Sequence, residues 1–234
     1  MPELSIVIPA FNEAAGIARV VRAWSAEMGR LGIPCELLVH DDGSTDETAS
    51  ILEHLASEIP ELTLRRHENR GHGPTILAGY REATAPWVLQ VDGDDEMGPA
   101  AFEGFWRVRE QADLIVGRRV GRHAATTRRL LTRASTLAIR FLFGGGPSDA
   151  NCPYRLMRRS VLGELVAALP AGTFAPNVIV SGLAARRGFR IIEQDVECRT
   201  NAGDRRANWN IARAALLSSV QALAAAYRAR SRQV

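Results

Sequence analysis

Short apolar runs alternate with longer amphipathic stretches through the first half of the chain. Leu4 to Pro9, Cys35 to His40, Leu62 to Arg66, Trp87 to Val91 and Asp113 to Val116 are brief and bounded by Gly, Pro or Asp, which predicts strands. Between them, Ile17, Val20, Val21, Trp24, Met28 and Leu31 recur at helical spacing, and Gly32 and Pro34 stop that helix. Asn12 can cap it. Ser44-Thr45-Asp46-Glu47 has the form of a capping box opening a helix through about Ser57. Gly71-His72-Gly73-Pro74 opens a third helix, through about Thr84, with Pro74 suited to its first turn. A fourth runs from about Pro99 to Glu110. Repeated strand–helix units with short connections predict an α/β fold, a mostly parallel central sheet flanked by helices. Right-handed crossovers then bring the turns at Pro9–Glu13, Asp41–Ser44 and Asp92–Asp94 to one rim.

After Gly117 the alternation weakens. Helices are expected over 126–143, 162–169 and 178–187, a strand over 189–196, and a polar loop over 201–206. A final helix over 207–230 carries Trp209, Ala212, Leu216, Val220, Leu223 and Tyr227 at spacings of three and four. This amphipathic C-terminal helix either packs on the body of the protein or lies at a membrane interface. The 234 residues read as a single domain.

Charge changes this picture. Residues 1–117 hold 20 acids and 9 arginines, and residues 118–234 hold 6 acids and 20 arginines, with no lysine anywhere. A basic second half fits an anionic partner such as phosphate groups or a membrane surface, and equally fits arginines scattered in solvent. No aromatic-interleaved basic motif points to nucleic acid. Cys35, Cys152 and Cys198 are too few and too scattered for a disulfide framework or zinc site, which fits a reducing cytoplasm. Neither a signal peptide nor a run of about 18 apolar residues is seen, so a cytoplasmic protein is expected, peripheral to a membrane or using a separate membrane partner.

The candidate chemistry centres on Asp92-Gly93-Asp94, which follows the most apolar strand. Ligands of open α/β sheets bind where strands end. Two carboxylates one residue apart can reach one hard cation, Mg²⁺ or Mn²⁺, which commonly also holds a diphosphate. A solvated acidic turn is the alternative.

Four segments taken together, Ser5-Ile6-Val7-Ile8-Pro9-Ala10-Phe11-Asn12-Glu13, Asp41-Asp42-Gly43-Ser44-Thr45-Asp46, Asn69-Arg70-Gly71-His72-Gly73 and Asp92-Gly93-Asp94, resemble an inverting family-2 glycosyltransferase of GT-A fold over residues 4–117. The continuation, Gly117-Arg118-Arg119, Arg128-Arg129, Asp149 to Leu156 and Arg199 to Gly203, is similar to the dolichol- and polyprenyl-phosphate sugar synthases within it. The resemblance implies that residues 1–117 bind a nucleoside diphosphate hexose (UDP- or GDP-linked), that 118–206 bind the acceptor, and that 207–234 form the terminal helix.

It also implies residue roles. Pro9, Phe11 and Glu13 line the base pocket, although Glu13 also reads as a helix-start carboxylate. Asp41 or Asp42 serves the same nucleoside, with Gly71 alongside. Asp92 and Asp94 hold the metal, with Glu96 where the family often has Gln. His72 stands where the family often has Lys or Arg, and also reads as a surface histidine. Arg119, Arg129 and Arg199 match phosphate-binding arginines, and Arg205 stands where another basic residue is expected; guanidinium forks suit phosphate oxygens. Asp149 and Arg155 match a D-x-x-x-G-F-R-like motif with Cys152-Pro153-Tyr154 in its middle. Arg155 then joins the phosphate-binding set, and Asp149 is the candidate base if the acceptor is a sugar hydroxyl. Cys152 reads as a small packed residue.

The expected function is sugar transfer, with inversion, from a nucleoside diphosphate sugar to a polyprenyl phosphate at the cytoplasmic membrane face. A transferase acting on a soluble or glycan acceptor is the first alternative. A non-catalytic module binding nucleotide sugars or an anionic membrane is the second.

Overall fold

The computed structural model describes residues 1–120 and 141–199. The predicted helix over 126–143 lies almost wholly outside them, as do Arg129, the 201–206 loop with Arg205, and the C-terminal helix. Among the described residues, seven strands form one sheet: β1 (Leu4–Ala10), β2 (Cys35–Asp41), β3 (Leu62–Arg66), β4 (Trp87–Gln90), β5 (Leu114–Val120), β6 (Arg155–Arg158) and β7 (Ile191–Glu197). Their order is β3-β2-β1-β4-β6-β5-β7. Only β6 runs antiparallel to its neighbours, so the other six end on one edge.

The helices are α1 (Ile17–Leu31), α2 (Thr48–Glu58), α3 (His72–Glu82), α4 (Phe102–Val108), α5 (Arg159–Val166) and α6 (Pro176–Arg186). Ile17, Val20, Val21, Trp24 and Met28 of α1 are all buried, as the spacing requires. Gly32, at φ 64°, ends that helix in the left-handed region, where a glycine has no Cβ penalty. The expected helix over Pro99–Glu110 is α4 flanked by single 3₁₀ turns at Pro99–Ala101 and Arg109–Gln111.

The core lies on both faces of the sheet. On one, Trp24 meets Phe102 edge-on at 5.6 Å between ring centres, and Tyr154 meets Phe105 at 5.0 Å. On the other, α3 packs so tightly on β1 that a Cβ at Gly79 would lie 2.3 Å from a Val7 methyl carbon.

β6 was not foreseen. Its four residues, Arg-Leu-Met-Arg, have no alternation of their own and are a strand because β4 and β5 flank them with free backbone groups. β5 also runs four residues past the expected strand, to Val120, because β7 pairs with it along that length.

Candidate functional site

Both predicted caps are corrected by the structure. α1 begins at Ile17 after Gly16, and α2 at Thr48 after Glu47; neither cap residue makes a side-chain capping bond. Asn12 and the Ser44–Thr48 segment bond to each other instead. Asn12 takes the left-handed conformation, φ 56°. Its Oδ1 accepts from Thr45 N–H at 2.8 Å, and its own N–H donates to Ser44 Oγ at 2.9 Å. Glu13 N–H donates to Thr48 Oγ1 at 2.8 Å. The capping chemistry is spent on fastening the turn after β1 to the turn after β2, which holds Phe11 and Glu13 at the sheet edge.

These turns border a cleft of about 360 Å³, lined by Pro9, Ala10, Phe11, Glu13, Asp42, Asn69, Gly71, His72, Thr75, Asp92, Gly93 and Asp94. It sits over the ends of β1 and β4, where strand order reverses and ligands of such sheets bind.

Of the two aspartates at the end of β2, Asp42 faces the cleft and Asp41 does not. Asp42 accepts from Arg70 N–H at 2.9 Å and Gly71 N–H at 3.0 Å, so its carboxylate shapes the 69–71 turn. Asp41 is fully buried, accepts from Ser44 N–H and Oγ–H, and lies 3.5 Å from Arg66. Asp41 does not line the cleft, and it supports the turn from beneath. Gly71, at φ 95°, is a position that favours glycine, and the chain turns there into α3.

Asp92 and Asp94 enter the cleft from a turn pressed against β1. A Cβ at Gly93 would lie 3.1 Å from both Pro9 O and the Ile17 side chain. Asp92 is held from behind by a buried relay that the sequence reading missed. Tyr80 O–H donates to Asn177 Oδ1 at 2.8 Å, Asn177 Nδ2 to Gln90 Oε1 at 2.7 Å, and Gln90 Nε2 to Asp92 Oδ1 at 2.9 Å. Burial pushes the Asp92 carboxyl above its ordinary range, and the nearby guanidinium groups of Arg119 and Arg155 offset only part of this. His72 Nε2 lies 3.8 Å from Asp92 Oδ1, so this exposed histidine lines the cleft. Asp94 Oδ1 accepts from Glu96 N–H at 3.0 Å.

Among the described residues no three His, Cys, Asp or Glu side chains gather into a closed metal site. Two carboxylates lining one cleft fit Mg²⁺ or Mn²⁺, which keep positions for water and phosphate oxygens.

Two predicted arginines reach the same edge. Arg119, near the end of β5, forms a two-point fork with Asp149: Nε to Oδ2 at 2.6 Å and Nη2 to Oδ1 at 2.8 Å. Asp149, read as a candidate base, thus has both oxygens engaged by a guanidinium. Arg199, two residues past β7, donates its N–H to Glu96 O at 2.8 Å and brings Nη1 to 3.4 Å from Asp95 Oδ1.

Arg155, read as a phosphate ligand, is corrected. It has no exposed surface. It donates to the carbonyls of Ala150, Cys152 and Asn177 and to Ser181 Oγ, at 2.8–3.3 Å. Loss of water lowers its proton affinity below the ordinary guanidinium range. Its work is to hold the 150–153 turn and α6 together. Cys152 is buried, with its thiol pushed up to about 12, as expected of a packed residue and not a nucleophile.

Known proteins resemble this arrangement. The family model "Glycosyl transferase family 2" matches residues 5–166. The curated undecaprenyl-phosphate 4-deoxy-4-formamido-L-arabinose transferase of Pectobacterium atrosepticum is 28% identical over 192 residues, 80% of this chain and 58% of its own. That of Pseudomonas aeruginosa is 31% identical over 189 residues, 77% of this chain and 54% of its own. The chain thus spans a little over half the length of these relatives.

Among solved structures, Mycobacterium tuberculosis glucosyl-3-phosphoglycerate synthase in complex with UDP aligns with TM-score 0.71 at 18% identity, covering 96% of this chain and 80% of that one. The Pyrobaculum calidifontis mannosyltransferase in complex with GDP-Man and Mn²⁺ aligns with TM-score 0.63 at 21% identity, covering 99% and 74%. These two likenesses bear on the fold. The sheet with its one antiparallel strand, the cleft over β1 and β4, and the family match over most of the chain lead to one conclusion: the protein belongs to glycosyl transferase family 2 and has a GT-A fold.

Proposed function

We propose that the protein transfers a hexose, with inversion, from a UDP- or GDP-sugar to a polyprenyl phosphate. The observation that carries this reading is the meeting of three features on one sheet edge: the Asp92–Asp94 turn, the cleft bordered by Glu13, Asp42 and Gly71, and the guanidinium groups of Arg119 and Arg199. The names of the curated relatives support the acceptor class. Neighbours that bind UDP or GDP-Man support the donor class.

In this reading Pro9 and Phe11 pack on the base, and Glu13 or Asp42 accepts a hydrogen bond from it. Asp92 and Asp94 hold the divalent ion, which when bound offsets charge growing on the departing diphosphate. Tyr80, Asn177 and Gln90 keep Asp92 in place. Arg119 and Arg199 receive the acceptor phosphate, whose oxygen is already anionic and needs no general base. Engagement of both Asp149 oxygens by Arg119 agrees with that economy.

No described helix is long and apolar enough to cross a membrane. In this reading the acceptor is met at a membrane surface, by way of the helix expected over 207–230 or of a separate membrane partner. A transferase acting on a soluble phosphate-bearing acceptor uses the same arginines.

A thermal-shift screen of nucleoside diphosphates with and without Mn²⁺ tests the donor side, since selective binding stabilises the fold by mass action. A metal-dependent shift with UDP or GDP is expected. Equal shifts without metal contradict the roles of Asp92 and Asp94. Binding without any donor turnover favours a non-catalytic module.

A further inference from the structure

We infer that Asp95 is a positioning residue that holds Arg199 as an anion-binding group beside the metal-binding turn. This rests on the proposed function and adds a residue to it. Asp95 follows Asp94 in the left-handed conformation, φ 59°, which reverses the chain and carries its side chain away from the cleft aspartates. An aspartate tolerates that conformation better than most residues. Its side chain is only 11% exposed and meets two cations. Arg19 of α1 lies at 3.1 Å and Arg199 at 3.4 Å, on different carboxylate oxygens.

Arg199 is fixed a second time by its own N–H, which donates to Glu96 O at 2.8 Å. The Arg199 side chain is itself 66% exposed, and among the described residues Asp95 engages its Nη1 alone. One carboxylate therefore sets where that cation stands relative to Asp94, one residue away. An acceptor phosphate seated on Arg199 is thereby registered against the ion on the donor diphosphate through a single turn of backbone.

This geometry also answers an electrostatic difficulty. Asp92, Asp94, Asp95 and Glu96 crowd four acids into five residues, and an anionic acceptor must approach them. Arg19 and Arg199 neutralise Asp95, which like Glu96 does not line the cleft, and this leaves Asp92 and Asp94 for the metal. Arg19 also donates Nη1 to Ala15 O at 2.9 Å, which ties it to the start of its own helix, whereas Arg199 serves both the turn and the incoming anion.

The test uses the full chain with Mn²⁺ and the variants Asp95→Asn, Arg199→Gln, their combination, and Arg19→Gln. Affinities for inorganic phosphate, a short-chain polyprenyl phosphate and the nucleoside diphosphate are measured, with melting temperature as the folding check. Asp95→Asn and Arg199→Gln are each expected to weaken phosphate binding by roughly tenfold, the scale of one charge-assisted contact. Nucleoside diphosphate affinity stays within about twofold, and the double variant is no weaker than Arg199→Gln, because the two side chains act as a unit. Arg19→Gln leaves phosphate affinity unchanged.

Three results overturn the role of Asp95: additive losses, a loss of nucleotide or Mn²⁺ affinity with phosphate affinity intact, or an Asp95→Asn chain that does not fold. Wild-type protein that binds inorganic phosphate through Arg199 but ignores the polyprenyl phosphate leaves the role of Asp95 standing and refutes the lipid acceptor.

Discussion

His40 makes stability depend on pH in a way that one substitution removes. It is the penultimate residue of β2, 2% exposed, and neither ring nitrogen has a hydrogen-bond partner among the described residues. The ring packs beneath α3, where a Cβ at Gly79 would lie 3.4 Å from it. Burial lowers its pKa from 6.5 to about 4; Glu82, 3.5 Å away, opposes this, and His67, Arg65 and Arg70 add to it. The native state therefore keeps the ring neutral while the unfolded chain takes up a proton. Stability from this group is complete above the unfolded value and falls as pH drops from about 6.5 towards 4. At ~1.4 kcal/mol per unit, the loss approaches roughly 3 kcal/mol near pH 4. Urea unfolding at several pH values between 7.5 and 4.5 measures it, for wild type and His40→Phe. The wild-type curve should steepen relative to the variant below about pH 6.5, since carboxylate contributions are common to both. Parallel curves would refute the argument.

Asp94→Asn should keep unfolding free energy within about 0.5 kcal/mol, as for other partly exposed changes, and abolish metal-dependent nucleotide binding; isothermal calorimetry with and without Mn²⁺ checks this. Arg155→Met should destabilise the fold by about 3–5 kcal/mol, because it orphans the buried carbonyls of Ala150, Cys152 and Asn177, and denaturant unfolding reads the loss. Gly73→Ala drives a Cβ to 2.2 Å from Thr173 O and 2.3 Å from Phe174 O. The overpacking should cost about 1–3 kcal/mol and move the start of α3, so nucleoside diphosphate affinity should fall along with melting temperature.

The strands that end at the cleft were readable because each is a short apolar run closed by Asp, Pro or Gly. Asp92 and Asp94 were readable because acids directly after such a run stand out. Asp42 could not be told from Asp41 in sequence, since adjacent strand-end residues differ only in the face they take. Asn12 and Ser44 carry the residue types of helix caps, and a side chain that caps locally is the same one that bonds a neighbouring turn. Arg155 was placed among the phosphate ligands by its match to a family motif; only the folded carbonyls of Ala150, Cys152 and Asn177 reveal what satisfies it. The relay of Tyr80, Asn177 and Gln90 joins residues far apart in the chain, and no local pattern announces it. β6 was invisible for the same reason, being a strand only between its neighbours.

The central claim is transfer of sugar to a polyprenyl phosphate, and product partition tests it most directly. The protein is incubated with Mn²⁺, a polyprenyl phosphate and a panel of sugar-labelled UDP- and GDP-hexoses. The account predicts label moving into the organic phase as a sugar phosphodiester with inverted anomeric configuration, and none for Asp94→Asn. Label that stays in water, as free sugar or on a soluble acceptor, while the organic phase remains empty for every donor would contradict it.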